Sequence, residues 1–244
     1  MSDDINDIKY AIEAKGLSKS FGGLFALKGI DLSINEGECV ALFGPNGAGK
    51  TTLIKVLTTL SRPANGKVLI AGEDIKKNAV AVRRRIGVVS HQTFLYDNLT
   101  AYENLKFYGK MYDVPDLEQR IVDVITKVGL ESRLRDRVGI FSRGMQQRLS
   151  IARAILHDPP IMLLDEPETG LDEQARSTLS ELLKTLVAGN RTVLLTTHNL
   201  EWGFALADRL AILVKGKIVY EDSKQSLDMT TFRETYNRCV GARS

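Results

Sequence analysis

The chain has 244 residues, 43% of them hydrophobic and 26% charged, with a formal net charge of +3. That length suits one domain with an inserted subdomain, the composition excludes a disordered chain, and so small a net charge gives no argument for a nucleic-acid partner. The two cysteines, Cys39 and Cys239, form no Cys-x-x-Cys pair, which argues against a disulfide framework or zinc site and fits a reducing compartment.

The chain opens on an acidic stretch, Met1 to Asp7, so a basic, apolar secretory leader is not expected. No uncharged apolar run approaches the ~20 residues needed to span a bilayer. Residues 11–34 alternate as two strands about a turn at Gly22-Gly23. Phe21, just before the turn, could stack on a purine face or pack in the core. A tight loop then leads into the apolar run Glu38–Phe43, which reads as a buried strand.

The next eight residues are Gly44-Pro45-Asn46-Gly47-Ala48-Gly49-Lys50-Thr51. They match the Walker A pattern in full, and Thr52 opens a stretch with apolar residues at helical spacing. Strand, glycine-rich turn and helix together cradle a nucleotide triphosphate. The glycines let successive N–H groups point at phosphate oxygens, and the helix N-terminus adds its dipole. Lys50 is expected at the β- and γ-phosphates and the Thr51 hydroxyl on Mg²⁺.

Beyond a break at Arg62–Gly66, strands are expected at Lys67–Ala71 and Ile86–Ser90, with Arg83–Arg85 as a solvated helix end. The second strand ends at His91-Gln92, where ligands of open sheets bind. Gln92 is therefore placed near a γ-phosphate or Mg²⁺. From 94 to 156 helical patterns replace strands, with helices expected at about 101–112, 117–129 and 145–156. The form Thr100-Ala101-Tyr102-Glu103 is that of a capping box. Phe94, Tyr96, Tyr102, Phe107, Tyr108 and Tyr112 crowd the first part. They read equally as a docking surface or as packing between helices.

Ile161–Leu164 followed by Asp165-Glu166 reads as a Walker B strand delivering two carboxylates. Asp165 is expected on Mg²⁺, and Glu166 is placed to activate the attacking water. A helix over about 173–188 is expected behind an Asp172 cap. The strand Thr192–Thr197 ends at His198, so Gln92, Asp165 and His198 converge on one sheet edge. A terminal hairpin follows across Lys215-Gly216, then a polar tail with a helix near 229–238.

These residues, over about 11–220, resemble the ATP-binding subunit of ABC transporters. Walker A, Gln92, Walker B and His198 stand in that family's order. Phe141-Ser142-Arg143-Gly144-Met145, followed by Gln146-Gln147-Arg148, is similar to the family signature, usually Leu-Ser-Gly-Gly-Gln. Glu168–Asp172 resembles the D-loop. The resemblance implies an α/β P-loop NTPase core with a mainly parallel sheet, an N-terminal antiparallel β subdomain and an inserted helical subdomain. As a single ABC ATPase domain over 1–244, it divides into a core at 1–92 and 157–220, the insertion at about 93–156 and a tail at 221–244.

It further implies an ATPase using ATP and Mg²⁺, with Glu166, His198 and Gln92 catalytic, Phe21 stacking on adenine and His198 contacting the γ-phosphate. Two subunits, a homodimer or heterodimer, would sandwich two ATPs. Ser142 and Gly144 would then face the phosphate held by the opposite chain, and Arg143, a departure from the usual glycine, would add positive charge there. Among exporters the likeness is to the heme-exporter ATPase of cytochrome c maturation. This implies a peripheral subunit on the cytoplasmic face, docked to an integral-membrane permease near 94–112. The alternatives are a multidrug exporter, a soluble ABC ATPase acting on ribosomes or DNA, and a nucleotide-binding regulator without turnover. The presence of both Glu166 and His198 argues against the last.

Overall fold

A computed structural model describes residues 10–241, and the acidic start lies outside them. Strands β1 (Tyr10–Phe21) and β2 (Leu24–Asn35) form the expected antiparallel hairpin about Gly22-Gly23. With β4 (Asn65–Ile70) and the short β5 (Glu73–Asp74) they make a four-stranded sheet in the order β2-β1-β4-β5.

The second sheet holds β3 (Cys39–Phe43), β6 (Ile86–Ser90), β7 (Ile161–Asp165), β8 (Thr192–Thr197), β9 (Arg209–Val214) and β10 (Lys217–Ser223), in the order β10-β9-β3-β8-β7-β6. The strands from β9 to β6 pair in parallel, and β10 closes the edge as an antiparallel hairpin. Every residue of β3, β7 and β8 is buried. Covered on both faces, such strands read as unbroken apolar runs rather than alternating ones. Register aligns their carboxyl ends: Phe43 lies opposite Thr197, Thr196 opposite Asp165, and Asp165 opposite Ser90. One sheet edge thus carries the ends of β3, β6, β7 and β8, beside which Gly44, Gln92, Asp165 and His198 lie, while Phe21 belongs to the other sheet.

Helix α1 (Lys50–Leu57) follows β3, and α2 (Ala79–Arg85) precedes β6 with Arg83, Arg84 and Arg85 as its last turn, where cations suit the helix dipole. Helix α3 (Ala101–Met111) starts at the expected capping box. Thr100 Oγ1 accepts from the Glu103 N–H at 3.1 Å, and Glu103 Oε2 accepts from the Thr100 N–H at 2.8 Å. Helix α4 (Leu117–Lys127) buries Ile121, Val124 and Ile125 along one stripe. Helix α5 spans Arg143–Ile155 and begins two residues earlier than the apolar spacing indicates. Its cap is Ser142, whose Oγ accepts from the Met145 N–H at 3.2 Å.

Helix α6 (Glu173–Ala188) is capped by Asp172 as expected, with Ala175 N–H at 2.7 Å. Helices α7 (Leu200–Leu206) and α8 (Met229–Gly241) complete the chain. The α3–α5 helices and the sheet share one core, in which Leu105, Ile121 and Leu149 join Val89, Leu164 and Val193. The tail is docked rather than loose: Phe232 is fully buried, its ring 4.9 Å from that of Phe43. Cys39 is buried and its thiol is pushed up to about 12 by desolvation; Cys39 and Cys239 are both free. Among the described residues no helix is long and apolar enough to cross a membrane.

Candidate active site

The phosphate loop leaves β3 at Gly44 and enters α1 at Gly49, whose φ is 113°. A Cβ at Gly49 would lie 2.7 Å from the Ala26 carbonyl oxygen, so the turn needs glycine on both conformational and steric grounds. The resulting cleft, about 260 Å³, is lined by Ala26, Asn46, Gly47, Ala48, Gly49, Lys50, Thr51, Thr52 and Glu166. Gly44 and Pro45 turn their carbonyls to Lys50, whose Nζ donates to them at 2.7 and 3.2 Å. Lys50 is 5% exposed and also pairs with Glu166 Oε1 at 3.1 Å.

Asp165 sits at the end of β7, 3% exposed. Its Oδ1 accepts from Thr196 Oγ1 at 2.7 Å and from Thr51 Oγ1 at 3.3 Å. A carboxylate and a hydroxyl at this separation form a hard-oxygen pair of the kind Mg²⁺ takes with phosphate oxygens. Glu166 has a φ of 49°, an uncommon conformation for a side-chain-bearing residue. It is held there by its N–H to the Thr196 carbonyl at 3.0 Å. The turn carries the Glu166 carboxylate back over the loop, with Oε1 on Lys50 and Oε2 3.4 Å from His198 Nδ1.

The structure therefore brings together Lys50, Thr51, Asp165, Glu166 and His198. Gln92 lies just past β6, exposed, its carbonyl accepting from the Ser90 hydroxyl. Among the described residues no hydrogen bond joins its side chain to Thr51 or Asp165. Phe21 is 54% exposed at the tip of the first hairpin, with the Lys19 ammonium 4.8 Å from its ring centroid. It is not a core residue.

Ser142 and Gly144 belong to a different cleft, about 310 Å³, lined also by Met145, Arg148, Asp172, Gln174, Ala175 and Thr178. The two clefts share no lining residue. A Cβ at Gly144 would come within 2.9 Å of the Ala175 Cβ, so glycine lets α5 lie against α6. Arg143, expected to face the opposite chain's phosphate, makes an intrachain contact in this single chain. Its guanidinium is turned onto its own chain and donates to the His91 carbonyl. That carbonyl lies beyond the end of β6, where no strand pairing uses it, and a charge-assisted bond satisfies it.

Sequence reasoning does not single out the groups beneath this surface. Thr196 fixes Asp165, and Thr197 donates to the buried Glu168. Their sole signal is a pair of hydroxyl residues closing an otherwise apolar strand.

A P-loop core whose Walker A and Walker B residues meet, with a signature helix capped by serine, defines an ATP-hydrolysing cassette. The family model described as "ABC transporter" matches residues 27–169, and the chain belongs to that family; it is an ATPase. It is 38% identical to the ABC transporter ATP-binding protein NatA of Bacillus subtilis (strain 168) over 83% of each chain. To the Nod factor export ATP-binding protein I of Rhizobium sp. (strain N33) it is also 38% identical, over 90% of this chain and 73% of that one. To the linearmycin resistance ATP-binding protein LnrL of Bacillus subtilis (strain 168) it is 36% identical, over 88% and 70%. Among solved structures, an ABC transporter ATP-binding subunit superposes with a TM-score of 0.81 at 31% identity, over 93% of this chain and 94% of that one. The cassette MJ0796, a dimer in a post-hydrolysis state bound to ADP and Pi, superposes at 0.79 and 29% identity, over 87% and 98%.

Proposed function

We propose that the chain is the ATPase motor of an exporter, working as a pair of cassettes on the cytoplasmic face of a membrane and docked to a separate membrane-spanning subunit. The observation that carries the pairing is the division of the chemistry between two clefts. Lys50, Thr51 and Glu166 line one, with Asp165 bonded to Thr51, while Ser142 and Gly144, at the N-terminus of α5, lie in the other. A two-fold pair would set each chain's serine-capped helix end against the phosphates held by its partner.

Within each site the roles follow from the contacts. Lys50 would hold the β- and γ-phosphates. Thr51 and Asp165 would hold Mg²⁺, which supplies charge neutralisation at the phosphates, and Gln92 would approach from the end of β6. Glu166 would accept a proton from the attacking water, with His198 orienting it and reaching the γ-phosphate. Phe21, exposed at the hairpin tip, would stack on adenine.

The docking surface is the aromatic stretch after Gln92. Phe94, Tyr96, Phe107 and Met111 are all exposed, and Tyr96 and Phe107 meet edge to face at 5.4 Å. Tyr108 anchors the surface from below, its hydroxyl donating to the Phe94 carbonyl at 2.7 Å. Tyr112 stacks on His157 at 3.9 Å and serves packing instead. A rigid exposed aromatic patch is the composition of an interface core.

Export is supported by relatives named for Nod factor export and for linearmycin resistance. Neither name mentions heme, so the cargo reading they favour is that of a multidrug-type exporter over heme export. The test is co-expression with the membrane-protein gene nearest to this one. The chain should co-purify with that membrane protein in detergent, and Phe107→Asp should abolish co-purification while leaving ATP binding intact. Recovery on ribosomes or DNA instead would contradict the reading. A neighbourhood of cytochrome c assembly genes would return the cargo to heme.

A further inference from the structure

Glu168 lies between Glu166 and the Asp172 cap and has no part in the chemistry described so far. It is 3% exposed. Its Oε1 accepts from the Thr197 hydroxyl, and its Oε2 is buried without a partner. Thr197 Oγ1 in turn accepts from the Asn199 N–H at 2.9 Å. Asn199 caps α7, its Oδ1 accepting from the Trp202 N–H at 3.0 Å. His198 therefore stands between two residues whose hydrogen bonds both lead to the Glu168 carboxyl. Its own Nδ1 faces Glu166 Oε2 at 3.4 Å.

A carboxyl group in this place is expensive, because burying a half-satisfied polar group costs free energy that a smaller apolar side chain would avoid. Desolvation holds it above the usual glutamate range; of the charged groups facing it, His198 acts to lower it and Glu166 to raise it. What the carboxyl provides in return is a fixed acceptor below the turn at 197–199.

We propose that Glu168 is a positioning residue for ATP hydrolysis: through Thr197 it fixes the turn that presents His198 to Glu166. The proposal rests on His198 and Glu166 acting in turnover as described above. It differs from a purely structural role in one respect. Its effect on catalysis passes through His198, so it must vanish when His198 is gone.

The test is a double-mutant cycle on the full chain, measuring ATP turnover for wild type, Glu168→Ala, His198→Ala and the double variant. Glu168→Ala should lower kcat about tenfold with KM for ATP changed less than about twofold, because Lys50 and the phosphate loop are untouched. In the His198→Ala background the same change should cost less than about twofold. Glu168→Gln retains an acceptor oxygen for Thr197 and should keep kcat within about twofold. Thr197→Val breaks the same bond from the other side and should reproduce the loss in kcat, which keeps the test available if Glu168→Ala does not fold. An equal loss from Glu168→Ala in both backgrounds, or an undiminished kcat in Glu168→Ala or Thr197→Val, overturns the proposal. If His198→Ala alone keeps wild-type kcat, the hydrolytic reading of His198 fails, and that result is distinct from failure of the Glu168 link.

Discussion

Lys50 Nζ stands 3.1 Å from Glu166 Oε1, so the cation of the phosphate loop and the carboxylate that follows Walker B are directly paired. The same ammonium donates to the Gly44 and Pro45 carbonyls. The pair ties the proposed phosphate-binding residue of one element to the proposed hydrolytic residue of another. It also makes each partner's removal informative, because the other is left as a largely buried charge.

Lys50→Ala would remove the cation proposed to hold the β- and γ-phosphates, and nucleotide titration should show ATP affinity reduced about 100-fold or more. Wild-type affinity in this variant would remove Lys50 from the phosphate site.

Gly144→Ala forces a methyl group against Ala175. Denaturant unfolding should show a loss of about 1–3 kcal/mol. Ala175→Gly in the same chain should recover most of it, since it deletes the atom that clashes. Failure of that rescue would mean that the glycine serves something other than the α5–α6 approach.

Phe232→Ala empties a fully buried site against Phe43, the residue just before the phosphate loop. Unfolding should show a loss of about 3–5 kcal/mol. A loss below about 1 kcal/mol would mean that the tail helix is not docked as described.

Glu168 also predicts a pH dependence of stability. Its folded value lies above the usual 4.5 because of burial. Between those two values the folded chain keeps a proton that the unfolded chain has released, so this group makes stability fall as pH rises through that window. Glu168→Gln has no such ionisation. Its Tm relative to wild type should be level at pH values below the window and climb as pH rises through it. A difference that stays constant across the window would contradict the assignment.

Much of this arrangement is legible in the sequence because its local rules agree. The Walker A glycines, the Thr100–Glu103 capping box and the Asp172 cap each specify a backbone geometry, and each is found where expected. Buried strands such as β7 and β8 announce themselves as apolar runs. Helix α7 does not, because it is short and its Asn199 cap stands only two residues past the strand end. Apolar spacing alone starts α5 too late because Arg143 and Gly144 lie outside its apolar stripe, and the Ser142 cap defines the start instead. Glu168 is marked only as the start of the D-loop resemblance, and its buried contact is silent for a different reason. Its partner Thr197 lies on a separate strand, and only the β7–β8 pairing brings the two together. The orientation of Arg143 is equally a matter of tertiary contact, since His91 is far from it in sequence.

The central claim is that one chain holds half of each ATP site. It is tested most directly by the solution mass of Glu166→Gln, in which binding should persist and hydrolysis stop. With ATP and Mg²⁺ this variant should run at twice the mass of a single chain by light scattering, and without nucleotide at the single-chain mass. Adding Ser142→Arg, which blocks the exposed end of α5, should return it to the single-chain mass with ATP still bound and Tm lowered by no more than the few degrees that loss of the α5 cap costs. A single-chain mass for Glu166→Gln at saturating ATP, or a dimer that survives Ser142→Arg, would contradict the account.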